Sequence, residues 1–358
     1  MLSLYVVLHH ALLNIDYSGV HDGTWRWLDA VFAWGHVSVD AFLVLSAFCL
    51  VLPLGASDRF DHFGPFLRRR FARLLPPYYA ACLFSLALIA LCVSAKSGTH
   101  WDVSVPVTFG GAVTHALLIH QWWPQFTAQI DHPLWSIGVE FQLCFLLPLL
   151  VWSCGRIGPW RTVAAFTLVG YLTWRASVSI GFPDPSAWGA SLYYISLFAM
   201  GVAVAHVWSS PPQQWRPRRD EALPVVAVAV AMTAWLAVKT IRDHAVALQL
   251  LSFFVGLTVV AGVLAMRRWP MAAPEKRGPL RASMAFVGKR SYSLYLIHAP
   301  LLQVVWIALV SPMHLSSSGL QAIAMMLLGT TVSLVFTLVF FQWIERPSLD
   351  WSRRLPSK

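Results

Sequence analysis

Long apolar runs, separated by short polar connections, cover most of this 358-residue chain. A run of about 20 apolar residues is long enough to cross the hydrocarbon core of a bilayer as a helix. About ten runs approach or reach that length, which predicts an all-α polytopic membrane protein with about ten transmembrane helices. The predicted spans are 1–17, 32–54, 76–95, 134–154, 161–180, 191–208, 222–240, 246–266, 289–310 and 320–344.

Two stretches depart from this pattern. The apolar stretch 105–122 is short and polar at its end, which predicts a re-entrant or interfacial segment. The first run offers only about 14 residues before Asp16, fewer than a full span needs, so we expect the first helix to be truncated at its N-terminus. No soluble module is apparent, and none is expected after the last span. Residues 1–358 are therefore predicted to form a single transmembrane domain.

Composition supports a membrane location. Hydrophobic residues make up 57% of the chain and charged residues 12%, with a mean hydropathy of +0.61. That apolar content is too high to be hidden in one soluble core. The net charge of +10 would suggest a nucleic-acid partner in a soluble protein. Here we expect the lipid bilayer to be the partner, and no nucleic acid.

The positive charges are distributed unevenly between the predicted loops. Of 26 lysines and arginines, five fall on the side of the first loop: Arg26, Lys96, Arg175, Lys239 and Arg242. The remaining 21 fall on the opposite side, and cytoplasmic loops carry an excess of basic residues. Both termini are therefore predicted to be cytoplasmic.

A basic cluster lies between the second and third predicted spans. It consists of Arg68, Arg69, Arg70 and Arg73. Arg70 and Arg73 share a face if the segment is helical, and Pro76–Pro77 is expected to end that helix. Paired guanidinium groups can grip phosphate oxygens, but basic residues at this place also serve topology alone. The sequence leaves both interpretations open.

Ionisable residues within spans are costly and therefore candidates for function. His9 and His10 are adjacent, so their side chains point about 100° apart and at most one faces a given cavity. A neutral imidazole suits proton transfer from a hydroxyl group, although a hydrogen bond to a neighbouring helix is an equal alternative.

Two carboxylates raise a similar choice. Glu140 lies one helical turn after Ser136, and Asp40 lies within the second span. Each carboxylate has two interpretations. It is either a functional group, or a structural residue that is buried in an ion pair or protonated. The five cysteines show no metal-ligand spacing, and no metal site is expected.

Six segments together resemble the acyltransferase-3 family, membrane-bound O-acyltransferases that acetylate bacterial glycans and some small molecules. They are Leu4–His10, Gly35–Phe48, Phe66–Tyr79, Leu134–Glu140, Phe286–Pro300 and Ile344–Pro347. The Arg-x-x-Arg element of the family matches at Arg70 and Arg73. Ala47 stands where the family usually has glycine, and Phe141 where a second glutamate is common. The arginine that precedes the first-helix histidine would lie before Met1.

The resemblance implies acyl transfer, expected to be acetyl transfer, from cytoplasmic acyl-CoA to a hydroxyl of a cell-envelope glycan or related carbohydrate. It also implies the bacterial inner membrane. His10 would be the general base or would transiently carry the acyl group. The other implied site residues are Arg70 and Arg73, helped by Arg69 and Arg68, for the phosphates of the donor, Glu140 for orienting the acceptor or His10, and Asp40, Ser136 and Trp135 for the pocket. Tyr295 and His298 are expected to be architectural.

A second function class remains open at this point. In a transporter or flippase of a glycolipid or anionic substrate, His10, Asp40 and Glu140 would form a proton relay. Such proteins often carry inverted repeats and paired, interrupted spans, and neither is visible in this sequence.

Overall fold

The computed structural model describes residues 2–15, 25–55, 62–179, 194–209, 230, 232–235, 245–266 and 278–356. Across these ranges the regular secondary structure is helical throughout, as expected from the apolar runs. The helices are α1 Leu2–Leu13, α2 Arg26–Phe32, α3 Gly35–Val51, α4 Phe63–Leu88, α5 Phe109–Ala116, α6 Pro124–Thr127, α7 Trp135–Leu143, α8 Leu147–Ile157, α9 Pro159–Ser179, α10 Tyr194–Ser209, α11 Ala245–Met266, α12 Pro279–Lys289, α13 Ser291–Val305, α14 Ser318–Ala324, α15 Thr330–Phe340 and α16 Arg346–Arg354.

Several helices are long and apolar enough to cross a membrane. In the described ranges there are six such stretches: Trp27–Leu54, Phe63–Val93, His132–Ile157, Gln249–Met266, Ser291–Met313 and Ser318–Arg354. Leu2–Leu13 and Tyr194–Ser209 are shorter apolar helices. The all-α membrane architecture is thus confirmed, whereas the count of about ten spans is not. The predicted span 161–180 corresponds to α9, which is outside this apolar group, and 222–240 lies largely outside the described residues.

The segment 105–122 folds into pieces too short to cross a bilayer. It contains α5 and one turn of 3-10 helix, His120–Trp122. The side chain of Thr108 caps α5 by accepting a hydrogen bond from the backbone of Gly111. Its re-entrant or interfacial position relative to the bilayer stays a prediction.

Helix α4 does not end at Pro76–Pro77, so that expectation was wrong. Proline removes a backbone donor, but membrane helices tolerate it where neighbouring side chains satisfy the affected turn. The prolines remove the donors of the Ala72 and Arg73 carbonyls. In the same turn, the hydroxyl of Tyr292 in α13 donates to the carbonyl of Leu74 at 3.0 Å. The basic cluster and the following transmembrane segment therefore belong to one continuous helix of 26 residues.

The middle of α4 is attached to α5. The hydroxyl of Tyr78 donates to the carbonyl of His115 at 3.0 Å, and that of Tyr79 to the carbonyl of Ala116 at 2.7 Å. Two hydrogen bonds from adjacent residues fix α5 against α4, a little more than one turn after Arg73.

Helices α1 and α13 run parallel and side by side. His10 pairs with His298, and one turn later Asn14 donates to the amide oxygen of Gln303 at 3.1 Å. The connection after α4 is hydrogen-bonded to the same side chain. The hydroxyl of Thr99 donates to the amide oxygen of Gln303 at 2.9 Å, and the amide nitrogen of Gln303 donates to the hydroxyl of Ser97 at 2.7 Å. This network joins α1, α13 and the connection after α4, one turn beyond the histidine pair.

The largest apolar cluster joins α3, α7, α8 and α10. At its centre α10 approaches α3 so closely that a Cβ atom on Gly201 would lie 2.3 Å from the carbonyl oxygen of Val44. Backbone atoms cannot rotate away as a side chain can. Glycine at this position therefore sets the distance between the two helices.

We expect Gly201→Ala to destabilise the protein by separating α3 from α10. Overpacking of this kind costs about 1–3 kcal/mol. Gly262→Ala is the matched control, since a Cβ there meets nothing within 4 Å. The measurement is the melting temperature of each purified variant in detergent. Equal melting temperatures for the two variants would contradict the close approach.

Candidate active site

The centre of the candidate site is a hydrogen bond between two imidazoles. Nδ1 of His10 lies 2.7 Å from Nε2 of His298. The other nitrogen of His298, Nδ1, lies 2.7 Å from the backbone carbonyl of Tyr295. His298 is fully buried, whereas His10 is half-buried. The residue that was expected to be architectural thus contacts the predicted catalytic histidine directly.

Two further histidines, not predicted as site residues, complete the cluster. The ring centroids of His132 and His298 each lie 4.9 Å from that of His10, and that of His100 lies 6.3 Å away. His132 also lies 3.2 Å, Nδ1 to Oγ, from Ser104. Burial lowers the pKa of His100 to about 4, so this imidazole is neutral near pH 7. The position of His132 directly before Pro133-Leu-Trp-Ser was the available sequence signal.

His9 has a different environment from its neighbour. Its Nδ1 lies 2.8 Å from the carbonyl of Phe32, which ties α1 to α2. Its ring packs against Gly35, where a Cβ atom would lie 2.0 Å from Cδ2 of the ring. The expected division between two adjacent histidines is therefore observed: His9 joins helices and His10 enters the cluster. Within the described ranges, no three histidine, cysteine or acidic side chains come together as a metal site.

A cavity of about 330 Å³ begins one helical turn from the histidine pair. Val6 precedes His10 by one turn, and Tyr295 precedes His298 by one turn. The cavity is lined by Leu2, Ser3, Val6, Ser38, Val39, Phe42, Leu45, Ser136, Ile137, Gly288, Ser291, Tyr292 and Tyr295. These residues include the first turns of α1 and α13, which belong to the side predicted to be cytoplasmic.

Tyr295 connects the cavity wall with the histidine pair. Its hydroxyl donates to the carbonyl of Pro133 at 2.8 Å and lies 2.6 Å from the hydroxyl of Ser136. The predicted pocket residue Ser136 therefore lines the cavity. Trp135 points elsewhere and stacks on Tyr194, with ring centroids 5.7 Å apart.

Glu140 forms a buried ion pair with Arg70 instead of meeting His10. Both side chains are nearly inaccessible, and the hydroxyl of Ser46 donates to the same carboxylate oxygen that Arg70 contacts. The pair joins α4 to α7, one turn beyond Ser136. Among the alternatives open from sequence, the geometry is that of a structural ion pair.

The other predicted site residues are distributed around this centre. Arg68 and Arg73 are exposed on α4, and Arg69 is half-buried. Asp40 is buried on α3, where it accepts a hydrogen bond from Ser252 of α11 at 2.7 Å. That contact joins α3 to α11 and does not bring Asp40 into the histidine cluster.

We expect Arg70→Met to destabilise the protein strongly, because it leaves the carboxylate of Glu140 buried without its cation. Removing one partner of a buried pair costs about 3–5 kcal/mol. The double variant Arg70→Met/Glu140→Leu should recover much of this loss. Arg353→Met is the control, because the Arg353–Asp350 pair is exposed at 3.5 Å and should contribute little. Melting temperatures in detergent measure all three, and a double variant no more stable than Arg70→Met would refute the coupling.

Comparison with known proteins agrees with this architecture. A family model described as an acyltransferase domain, that of the acyltransferase-3 family, matches residues 1–342 of the chain. No curated protein and no solved structure matches it. The family match covers every helix that contributes to the histidine cluster and to the cavity. This helical membrane protein therefore belongs to the acyltransferase-3 family and is an acyltransferase.

Proposed function

We propose that this protein is an O-acyltransferase that moves an acyl group, acetyl in the simplest case, from cytoplasmic acyl-CoA to a hydroxyl of a cell-envelope glycan or related carbohydrate. It would act in the bacterial inner membrane with both termini in the cytoplasm. The observation that carries this proposal is the position of His10, one turn beyond a cavity that begins at the basic side of the bundle.

The cavity is suited to the slender thiol-bearing arm of the donor. Its lining is mainly apolar, with the hydroxyl groups of Ser3, Ser136 and Tyr295 among the exceptions. A volume of about 330 Å³ is at the small end of the range for ligand pockets, which suits the acylated arm rather than the complete donor. The phosphates of the donor would then remain outside the bundle, where the exposed guanidinium groups of Arg68 and Arg73 are available.

The chemistry requires a group that removes the proton of the acceptor hydroxyl. In the direct route, His10 accepts that proton as the oxygen attacks the thioester carbonyl. The new C–O bond forms, the C–S bond breaks, and the leaving thiolate takes the proton. In the two-step route, a nitrogen of His10 attacks the thioester carbonyl, the C–S bond breaks and thiolate leaves. The acceptor hydroxyl then attacks the acyl group, the C–N bond breaks, and the hydroxyl proton passes to the thiolate. Both routes need a neutral His10 with one unprotonated nitrogen.

Arg70 and Glu140 have a supporting role in this proposal. Their pair fixes α4 against α7 and thereby holds Arg73, one turn further along α4, at the edge of the bundle. Asp40 supports the pocket indirectly, by holding α3 against α11.

The rival transporter function is less well supported. A proton relay needs its members within hydrogen-bond reach of one another or of bridging water. Asp40 instead bonds to Ser252, and Glu140 to Arg70 and Ser46. Membership of an acyltransferase family also favours transfer chemistry.

We expect His10→Asn to reduce acyl transfer by about 10²- to 10⁴-fold, the usual contribution of a general base. The asparagine amide can still donate a hydrogen bond to His298 but has no basic nitrogen. The measurement is acceptor-dependent release of free thiol from acetyl-CoA by the purified protein, with hexose and amino-sugar oligosaccharides as acceptors. His314→Asn, in an exposed turn with φ of 47°, is the control. Wild-type turnover by a correctly inserted His10→Asn variant would exclude the role.

We expect Arg73→Gln to raise the KM for acyl-CoA about tenfold while leaving kcat nearly unchanged. Loss of one charge-assisted hydrogen bond to a phosphate has about this effect. Arg354→Gln is the matched control, since Arg354 is also exposed and lies in α16, which packs against α4. Steady-state kinetics with varied acetyl-CoA measure both variants. An unchanged KM for Arg73→Gln would indicate that the basic cluster serves only to orient the protein in the membrane.

A further inference from the structure

We propose that His298 is a positioning residue that fixes the tautomer of His10, keeping the proton on Nδ1 and the lone pair on Nε2. This inference rests on the proposed function, in which His10 must present an unprotonated nitrogen. It assigns a specific task to a residue that the sequence suggested was only architectural.

The chain of hydrogen bonds has one consistent assignment for two neutral imidazoles. A backbone carbonyl can only accept, so the contact of 2.7 Å with Tyr295 requires the proton of His298 to be on Nδ1. Nε2 of His298 is then an acceptor. The contact of 2.7 Å between this atom and His10 therefore requires a proton on Nδ1 of His10. Nε2 of His10 is left with the lone pair.

The opposite tautomers are disfavoured by the same contacts. If Nε2 of His298 carried the proton, its Nδ1 lone pair would face the carbonyl oxygen of Tyr295. If Nε2 of His10 carried the proton, two lone pairs would face each other across the 2.7 Å contact. His298 is fully buried, so water cannot relieve either arrangement.

Tyr295, whose carbonyl begins this series of hydrogen bonds, is held by contacts of its own. The carbonyl that orients His298 belongs to Tyr295, whose hydroxyl is held by Pro133 and Ser136. The ring of Tyr295 lines the cavity. Tyr295 therefore forms part of the wall of the proposed donor pocket and, through His298, also fixes which nitrogen of His10 carries the proton.

The hydrogen bond between Nδ1 of His10 and His298 also matters during acyl transfer. When Nε2 of His10 takes up the acceptor proton, the imidazolium that forms keeps its Nδ1–H bond to the neutral His298. An orienting partner of this kind is worth up to about 10⁴-fold in kcat where its loss leaves a histidine in the wrong tautomer.

The direct test is the tautomer of His10, read by solid-state NMR of the full chain labelled with ¹³C- and ¹⁵N-histidine in lipid bilayers. The His10 signal is assigned by its absence in His10→Asn. We expect wild-type His10 to be protonated on Nδ1. In His298→Leu, which lacks the acceptor, the proton should move to Nε2. In His298→Gln, whose amide oxygen can accept, the wild-type tautomer should be largely retained.

Kinetics provide the second readout. We expect His298→Leu to lower kcat by about 10²-fold or more with little change in the KM for acetyl-CoA, and His298→Gln to recover part of the loss. A merely structural role predicts no such rescue. Proton occupancy of Nε2 in wild-type His10, or an unchanged tautomer in folded His298→Leu, would overturn the inference. If His10 has the expected tautomer but the protein releases no thiol, the proposed function is rejected while the assignment of the tautomer stands.

Discussion

The parallel pairing of α1 and α13 is the contact on which the site depends. These two helices come from opposite ends of the chain, and side-chain hydrogen bonds at two successive turns fix their register, His10 with His298 and Asn14 with Gln303. A shift of one residue would rotate each partner by about 100° and break both bonds. The register therefore determines which of the two adjacent histidines, His9 or His10, enters the centre of the bundle.

The low dielectric of a bilayer explains why so many polar residues occur in specific partnerships. Each buried polar group must find its partner within the protein, because lipid offers none. Asp40 is hydrogen-bonded to Ser252, and Arg70 forms an ion pair with Glu140. Gln303 is hydrogen-bonded to Asn14, Thr99 and Ser97. These contacts link helices distant in sequence. The polar residues thus specify which helices are neighbours, while the apolar residues provide the packing between them.

Sequence patterns predicted the parts of this structure that depend on local composition. Apolar runs indicated helices and a membrane location, and ionisable residues within those runs identified His10, Glu140 and Asp40 as unusual. Partners could not be predicted, because the separation of His10 from His298 is 288 residues and that of Arg70 from Glu140 is 70. His100 lies outside the apolar runs and His132 at the edge of one, so neither is an ionisable residue within a span, the criterion that singled out His10. The rule that proline ends a helix failed at Pro76–Pro77, because membrane helices tolerate proline better than helices in water do.

The unbroken course of α4 has a mechanical consequence. A helix of 26 residues rises about 39 Å, and α4 carries the basic cluster, the tyrosines that hold α5 and the apolar residues that follow them on one unbroken element. Pro76–Pro77 lies between the basic cluster and these tyrosines and does not end the helix. A displacement of the basic cluster is therefore passed along α4 to the attachment of α5.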